Sequence, residues 1–306
     1  MVIDIYKYYI LTINYRGNTS RSIGNHIHGY ITADSLLMAA RFPESTEPKE
    51  NVTMPEQLLD FTGKVVALTG GGTGIGRATA IAFAKQGAKV VIAGRSNADK
   101  TLQSIKEIGG EAMFVRADVS KEADVQHYIK TIIDTHGRLD VAFNNAGLLP
   151  VTADLIDQTV EDFDKIMAVD LRGVFLCMKY QIPEMLKVGG GSIINCASVA
   201  ALIADPGMSP YVAAKHGVAG ITKAAAIEYA RRNVRINALA PGLTETEMTH
   251  RWLEDPEFRE IVKSFNAANR VASSEEISGI VLFLASPLAS FITGCVYPVD
   301  AGQTAH

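Results

Sequence analysis

Cysteine and long apolar runs are scarce in this chain, and each scarcity removes a class of protein. The 306 residues hold three cysteines, Cys177, Cys196 and Cys295, with no CxxC spacing. Three thiols cannot all pair, which points away from a disulfide-stapled scaffold and toward a reducing compartment such as the cytoplasm, with the cysteines as small buried hydrophobes. No apolar run approaches the ~18 residues of a membrane span. An excess of positive charge is lacking too. Against 33 Asp+Glu stand 29 Lys+Arg, a formal net charge of −4, so there is no basic footprint for nucleic acid. No internal repeat is visible, and no metal is expected.

What is present is ordinary core-forming material, 47% hydrophobic and 20% charged, enough for one large α/β domain plus an extension. Residues 1–57 differ from the rest and are expected to be irregular and outside the fold. YYILTI (8–13) is apolar, but Asp4 and Lys7 precede it and no small-residue cleavage site follows closely, which argues against a signal peptide. Asn18 and Asn51 begin N-x-S/T sequons that matter only in a secreted protein. RFPESTEPKENVT (41–53) reads as a flexible linker, and Met54 opens what looks like the natural start of the folded part. The extension is therefore expected to be mobile, or an upstream translation that the working protein lacks.

From residue 61 strands and helices alternate. KVVALT (64–69), AKVVIAG (88–94), AMFVRAD (112–118), DVAFNNAG (140–147), SIINCAS (192–198), VRINALA (234–240) and CVYPVD (295–300) read as strands. Helical stretches lie between them, near 99–108, 122–136 and 274–285 among others. Such alternation predicts a doubly wound parallel sheet with helices on both faces and ligands at the carboxyl ends of the strands.

Thr69-Gly70-Gly71-Gly72-Thr73-Gly74-Ile75-Gly76 sits between the first strand and its helix. Glycines there permit a tight turn and close approach of backbone to a pyrophosphate at the positive helix N-terminus. The spacing differs from GxGxxG, and no GKT/S follows, which excludes a P-loop nucleotidase. Downstream, Tyr211 and Lys215 stand four residues apart, about one helical turn, so both leave the same face. A phenol has an unperturbed pKa of about 10, and an adjacent ammonium favours its ionised form. Of ten tyrosines only Tyr211 has a lysine at that spacing. Ser198 precedes the pair by thirteen residues. It lacks an evident His/Asp partner and a GxSxG frame, which argues against a hydrolase nucleophile.

Taken together, TGGGTGIG (69–76), ADV (117–119), NNAG (144–147), Ser198, YVAAK (211–215) and PG (241–242) resemble the short-chain dehydrogenase/reductase family over about residues 58–306. The resemblance implies a three-layer, seven-stranded Rossmann sheet, a nicotinamide cofactor and interconversion of a secondary alcohol and a ketone. It places Gly70, Gly72, Thr73, Gly74, Ile75 and Gly76 at the phosphates and Asp118 and Val119 near the adenine. Asn145, Ala146 and Gly147 would line the cofactor groove, and Pro241, Gly242 and Thr246 would approach the nicotinamide. Tyr211 would move the proton and Ser198 would hydrogen-bond the reacting oxygen. Lys215 would lower the tyrosine pKa and hold ribose hydroxyls. At the end of the second strand Gly94-Arg95-Ser96 replaces the acid that would favour NAD; Arg95 and Ser96, with Asn97, suit a 2′-phosphate, so NADP is expected ahead of NAD.

Asp170 departs from the family. In Asp170-Leu171-Arg172-Gly173 an aspartate stands where the family's N-x-x-G has asparagine holding a relay water. Asp170 would support the relay with a shifted pH profile, or else pair locally, as with Arg172. His216 points off the catalytic face and is expected to be structural. Residues 243–272 resemble a mobile substrate lid. Met248, Trp252, Leu253 and Phe258, with Leu148, Leu149 and Met208, would form an apolar wall or pack on their own domain. The resemblance also suggests a homotetramer built on the helices after strands four and five. Two other readings stay open: a 3-oxoacyl-acyl-carrier-protein reductase, needing a basic docking patch from Arg172, Arg251 and Arg259, and a non-catalytic dinucleotide-binding regulatory protein.

Overall fold

The structure, a computed structural model, describes residues 59–305. The expectations for residues 1–57, including the sequons and the linker, lie outside the described residues.

The strand β1 (Val65–Thr69) is buried along its whole length. Parallel strands covered on both faces read as unbroken apolar runs, which is why VVALT shows no alternation. The first half continues as α1 (Gly74–Lys85), β2 (Lys89–Gly94), α2 (Asp99–Glu107), β3 (Glu111–Arg116), α3 (Glu122–His136) and β4 (Val141–Asn144). A long helical rod follows in three parts: α4 (Val160–Ile166), a π-helical turn (Met167–Arg172) and α5 (Gly173–Lys187). Then come β5 (Gly191–Cys196), α6 (Ser209–Tyr229), β6 (Val234–Pro241), two short helices α7 (His250–Glu254) and α8 (Pro256–Lys263), α9 (Ser274–Ala285) and β7 (Val296–Val299).

The seven strands form one sheet in the order β3-β2-β1-β4-β5-β6-β7, and every neighbouring pair is parallel. The doubly wound, three-layer expectation therefore holds. One apolar core packs α3, α5 and α6 on one face; the other packs α1 and α9 on the opposite face. The chain reverses direction across the sheet between β1 and β4, which opens a crevice at their carboxyl ends.

A buried polar network ties β4, on one side of that crevice, to β5. Asn144 on β4 exchanges hydrogen bonds with Gln181 on α5 at 2.8 and 3.1 Å and donates to Asn195 on β5 at 2.9 Å. Asn195 in turn donates to Thr222 on α6 at 2.9 Å. Fully paired, such a network fixes register and holds strand ends in place.

One expectation is corrected at Cys295, and one segment holds more regular structure than its pattern suggested. Cys177 and Cys196 are buried, and burial pushes the Cys177 thiol up to about 12, so both behave as small apolar groups; Cys295 is exposed. The segment after β6 carries helices α7 and α8, which the sequence pattern did not suggest. They are too short to display a full apolar period, and Asp255 with Pro256 marks where α8 starts: the Asp255 carboxylate accepts from the Glu257 and Phe258 N–H groups.

Candidate active site

The crevice deepens into a cavity of about 580 Å³, within the range of small-molecule sites. Its floor is the glycine loop. Gly70 and Gly74 have φ of +71° and +49°, a region open to glycine and strained for other residues. A Cβ at Gly70 would stand 3.0 Å from the Ala146 Cα, and one at Gly74 would stand 2.8 Å from the Thr246 methyl. Thr101 donates to the Gly71 and Gly72 carbonyls, and Asn145 donates to the Thr69 and Gly70 carbonyls. The loop is thus pinned by α2 and by the segment that follows β4.

Thr73 is the N-cap of α1 but gives no side-chain cap. First-turn N–H groups therefore stay open toward the cavity, where the helix dipole is positive. That arrangement, with the backbone stripped of side chains, fits a pyrophosphate. Gly70, Gly72, Thr73, Gly74 and Ile75 all line the cavity. Gly76 does not: its absent Cβ would lie 2.2 Å from the Gly70 carbonyl oxygen. It lets loop and helix pack on each other from behind.

Further along, Arg95 and Ser96 after β2 and Asp118 and Val119 after β3 line one end. Partial burial pushes the Asp118 carboxyl up, but hydrogen bonds from Ser120 and the charge of Arg95 more than offset it and hold it low. Asn97 is engaged with Asp99 at 2.7 Å. Asn145, Ala146, Gly147, Pro241, Gly242 and Thr246 complete the walls toward the other end.

At that end Ser198, Tyr211, Lys215 and Asp170 meet in the same cavity. Ser198 leaves β5 in extended conformation, and its hydroxyl accepts from the Ala200 N–H at 3.2 Å while reaching the Tyr211 phenol. It is both a cap and a cavity group. Lys215 is 3% exposed. Its ammonium donates to the Cys196 carbonyl at 3.0 Å and lies 5.3 Å from the Tyr211 ring centre.

The π-helical turn carries Asp170 inward to complete burial. One carboxylate oxygen accepts from the Leu148 N–H at 2.9 Å. The other forms an ion pair with Lys215 at 3.2 Å, off the line of a good hydrogen bond, and has no further partner among the described residues. Gly147 makes room: a Cβ there would meet that oxygen at 3.0 Å. Burial pushes the Asp170 carboxyl up, although Lys215 and the Leu148 N–H pull it down. The reverse holds for Lys215: burial disfavours its ammonium, but Asp170, Tyr211 and Cys196 together more than offset that and push it up. Local pairing with Arg172 does not occur, because Arg172 donates to the Ser120 carbonyl.

For Tyr211 the expectation needs correction. Burial pushes the phenol up; Lys215 and the Ser198 hydroxyl pull it down, but Asp170 opposes them, and the net shift is upward. The lysine's influence is real and is partly cancelled.

Leu148, Leu149, Met208, Met248, Trp252 and Phe258 line the cavity, and Val262 and Phe265, which the sequence did not single out, join them. Leu253 is buried and lies outside the lining. His216 is exposed and pairs with the Val212 carbonyl on its own helix. Asp205 and Thr152 were also missed as lining residues; both sit in irregular segments, where no helical or strand period marks which side chains face inward.

A doubly wound α/β enzyme with a dinucleotide crevice is the class that fold and site define. Comparison with known proteins gives the family. A family model described as enoyl-(acyl carrier protein) reductase matches residues 70–304. Cyclohexanol dehydrogenase of Acinetobacter sp. (strain SE19) is 39% identical over 246 residues, covering 80% of this chain and 96% of that protein. Levodione reductase of Leifsonia aquatica is 39% identical over 255 residues, covering 80% and 96%. A solved structure from Agrobacterium tumefaciens, provisionally described as a 2-deoxy-D-gluconate 3-dehydrogenase with bound NADP, superposes with a TM-score of 0.77 at 32% identity, covering 82% of this chain and 100% of that one. The chain belongs to the short-chain dehydrogenase/reductase family and is an oxidoreductase acting on CH–OH groups.

Proposed function

We propose that the protein interconverts a neutral secondary alcohol and its ketone, with Tyr211 as the general acid and base. One observation carries this reading: Ser198, Tyr211 and the Asp170–Lys215 pair converge in the same cavity as the glycine loop. A bound nicotinamide dinucleotide supplies or accepts the hydride there. The open N–H groups of α1 would hold its pyrophosphate, and Lys215 its ribose. In reduction, the Ser198 hydroxyl orients the carbonyl oxygen and the Tyr211 phenol donates its proton as negative charge develops on that oxygen. In oxidation the phenolate accepts the alcohol proton. The apolar wall around Tyr211 excludes water and suits a hydrophobic substrate.

NADP is favoured over NAD because Arg95, exposed at the cavity mouth, can pair with a 2′-phosphate and no acid ends β2. An acyl-carrier reductase would need a patch of free basic side chains. Arg172 and Arg251 are instead turned to the Ser120 and Pro150 carbonyls, leaving only Arg259 of the three exposed and without such a bond among the described residues. A purely regulatory dinucleotide-binding role would leave the converging hydroxyls without purpose. We place the protein in a reducing compartment such as the cytoplasm, as a homotetramer.

The test is a panel of alcohols and ketones assayed with both cofactors. Turnover with NADPH, a higher kcat/KM than with NADH, and a fall of about 10²–10⁴-fold in kcat for Tyr211→Phe are expected. Cofactor binding without turnover on any member would refute the catalytic reading, and a marked NADH preference would refute the role of Arg95.

A further inference from the structure

One charged group in the cavity takes no part in the chemistry described above. Asp205 lies in the loop between Ala201 and α6 and lines the same cavity as Ser198 and Tyr211. Five charged residues line that cavity: Arg95, Asp118, Asp170, Lys215 and Asp205. Arg95 and Asp118 follow β2 and β3, on the far half of the sheet, and Asp170 and Lys215 neutralise each other. Asp205 has no hydrogen bond or ion pair among the described residues, and unlike Asp118, which Arg95 and Lys121 influence, it has no charged group acting on it. Half-burial pushes its carboxyl up, with no partner acting on it.

Its loop is built rather than loose. The Gly207 carbonyl accepts from the Ala153 N–H and from the Gln158 amide, each at 3.1 Å. Met208, three residues on, packs with Tyr211, Leu148, Leu149 and Trp252. The carboxylate therefore stands at the rim of an apolar wall, partly stripped of water and without compensation.

We infer that Asp205 selects the substrate by accepting a hydrogen bond from a hydroxyl distal to the reacting carbon. The site then takes neutral diols and hydroxyketones ahead of simple alcohols, and disfavours sugar acids. This rests on the alcohol–ketone reading and narrows it. A distal hydroxyl supplies the partner that the protein does not, whereas an analogue lacking it leaves the carboxylate unpaired. A carboxylate on the substrate meets like charge.

The experiment compares cyclohexanol, trans-cyclohexane-1,2-diol and gluconate on the wild type, Asp205→Asn and Asp205→Ala. Two readouts are taken: kcat/KM with oxidised cofactor, and quenching of Trp252, the single tryptophan of the chain, which lines the cavity. The wild type should favour the diol over cyclohexanol by about 10–100-fold. Asp205→Ala should bring that ratio toward one. Asp205→Asn, which still offers a carbonyl acceptor, should keep part of the ratio and improve gluconate. A merely structural Asp205 would change both alcohols together and leave the ratio intact. That result, or a wild type with no diol preference, overturns the inference. If none of the compounds is turned over, the hydride-transfer reading fails, and the tryptophan titration still measures the diol-to-cyclohexanol ratio.

Discussion

A carboxylate with no exposed surface lies 3.2 Å from the ammonium that faces Tyr211. The groups acting on the phenol are Lys215 from its own helix, Asp170 from the π-helical turn, and Ser198 and Cys196 from the end of β5. Lys215 lowers the phenol and Asp170 raises it, so the aspartate works against the lysine. The sign follows directly. Asp170→Asn removes the raising charge, the phenol ionises at lower pH, and the pH profile moves down. Alcohol oxidation, which needs the phenolate, should then persist to lower pH. Carbonyl reduction, which needs the phenol, should fall away earlier on the alkaline side. Profiles of kcat/KM in both directions measure this, and coincident profiles for the two proteins would remove Asp170 from the proton chemistry. At this scale the sequence is legible where helical geometry fixes a pair, as with Tyr211 and Lys215. It is silent on Asp205 and on the Asn144–Gln181 pair, because a contact across 37 residues leaves no local spacing to read.

The glycine loop shows what an element demands of each position. Its general role is evident from glycine density after a buried strand, yet density does not separate cavity-facing glycines from packing ones. Gly76 is of the second kind, since its Cβ would meet a backbone oxygen at 2.2 Å, and backbone cannot swing aside. Gly76→Ala should therefore destabilise the fold by about 1–3 kcal/mol, read as a lowered thermal midpoint in cofactor-free protein. An unshifted midpoint would show that α1 slides to accommodate the methyl. The other helices follow local chemistry more plainly. Ser273 and Glu276 form a reciprocal capping box at the start of α9, a signature written in the sequence, and α3 ends on Gly137 at a φ of +73°.

Over the whole molecule, alternation of strands and helices sufficed for the layer architecture, because each parallel strand must be followed by a crossover. Helices α7 and α8 escaped it, being too brief to repeat. On the outer face of the α4–α5 rod and α6, Met167, Leu171, Phe175 and Ile221 line a shallow apolar depression. Phe175 is 50% exposed. As the surface proposed to meet a second copy, this face should not tolerate charge: Phe175→Asp is expected to yield smaller particles by light scattering while the fold, followed by circular dichroism, persists. An unchanged mass would move the interface elsewhere.

The π-helical turn at Met167–Arg172 joins these scales through phase. A helix advances about 100° per residue, and a π turn holds one residue more than its α counterpart. Deleting one residue there would rotate α4 by about 100° relative to α5. Asp170 and Phe175, one directed at the catalytic lysine and the other at the outer depression, share the same stretch of rod. Only five residues separate them, so a deletion between Asp170 and Phe175 would turn the inner and outer surfaces about 100° relative to each other, whereas one before Asp170 would turn α4 alone.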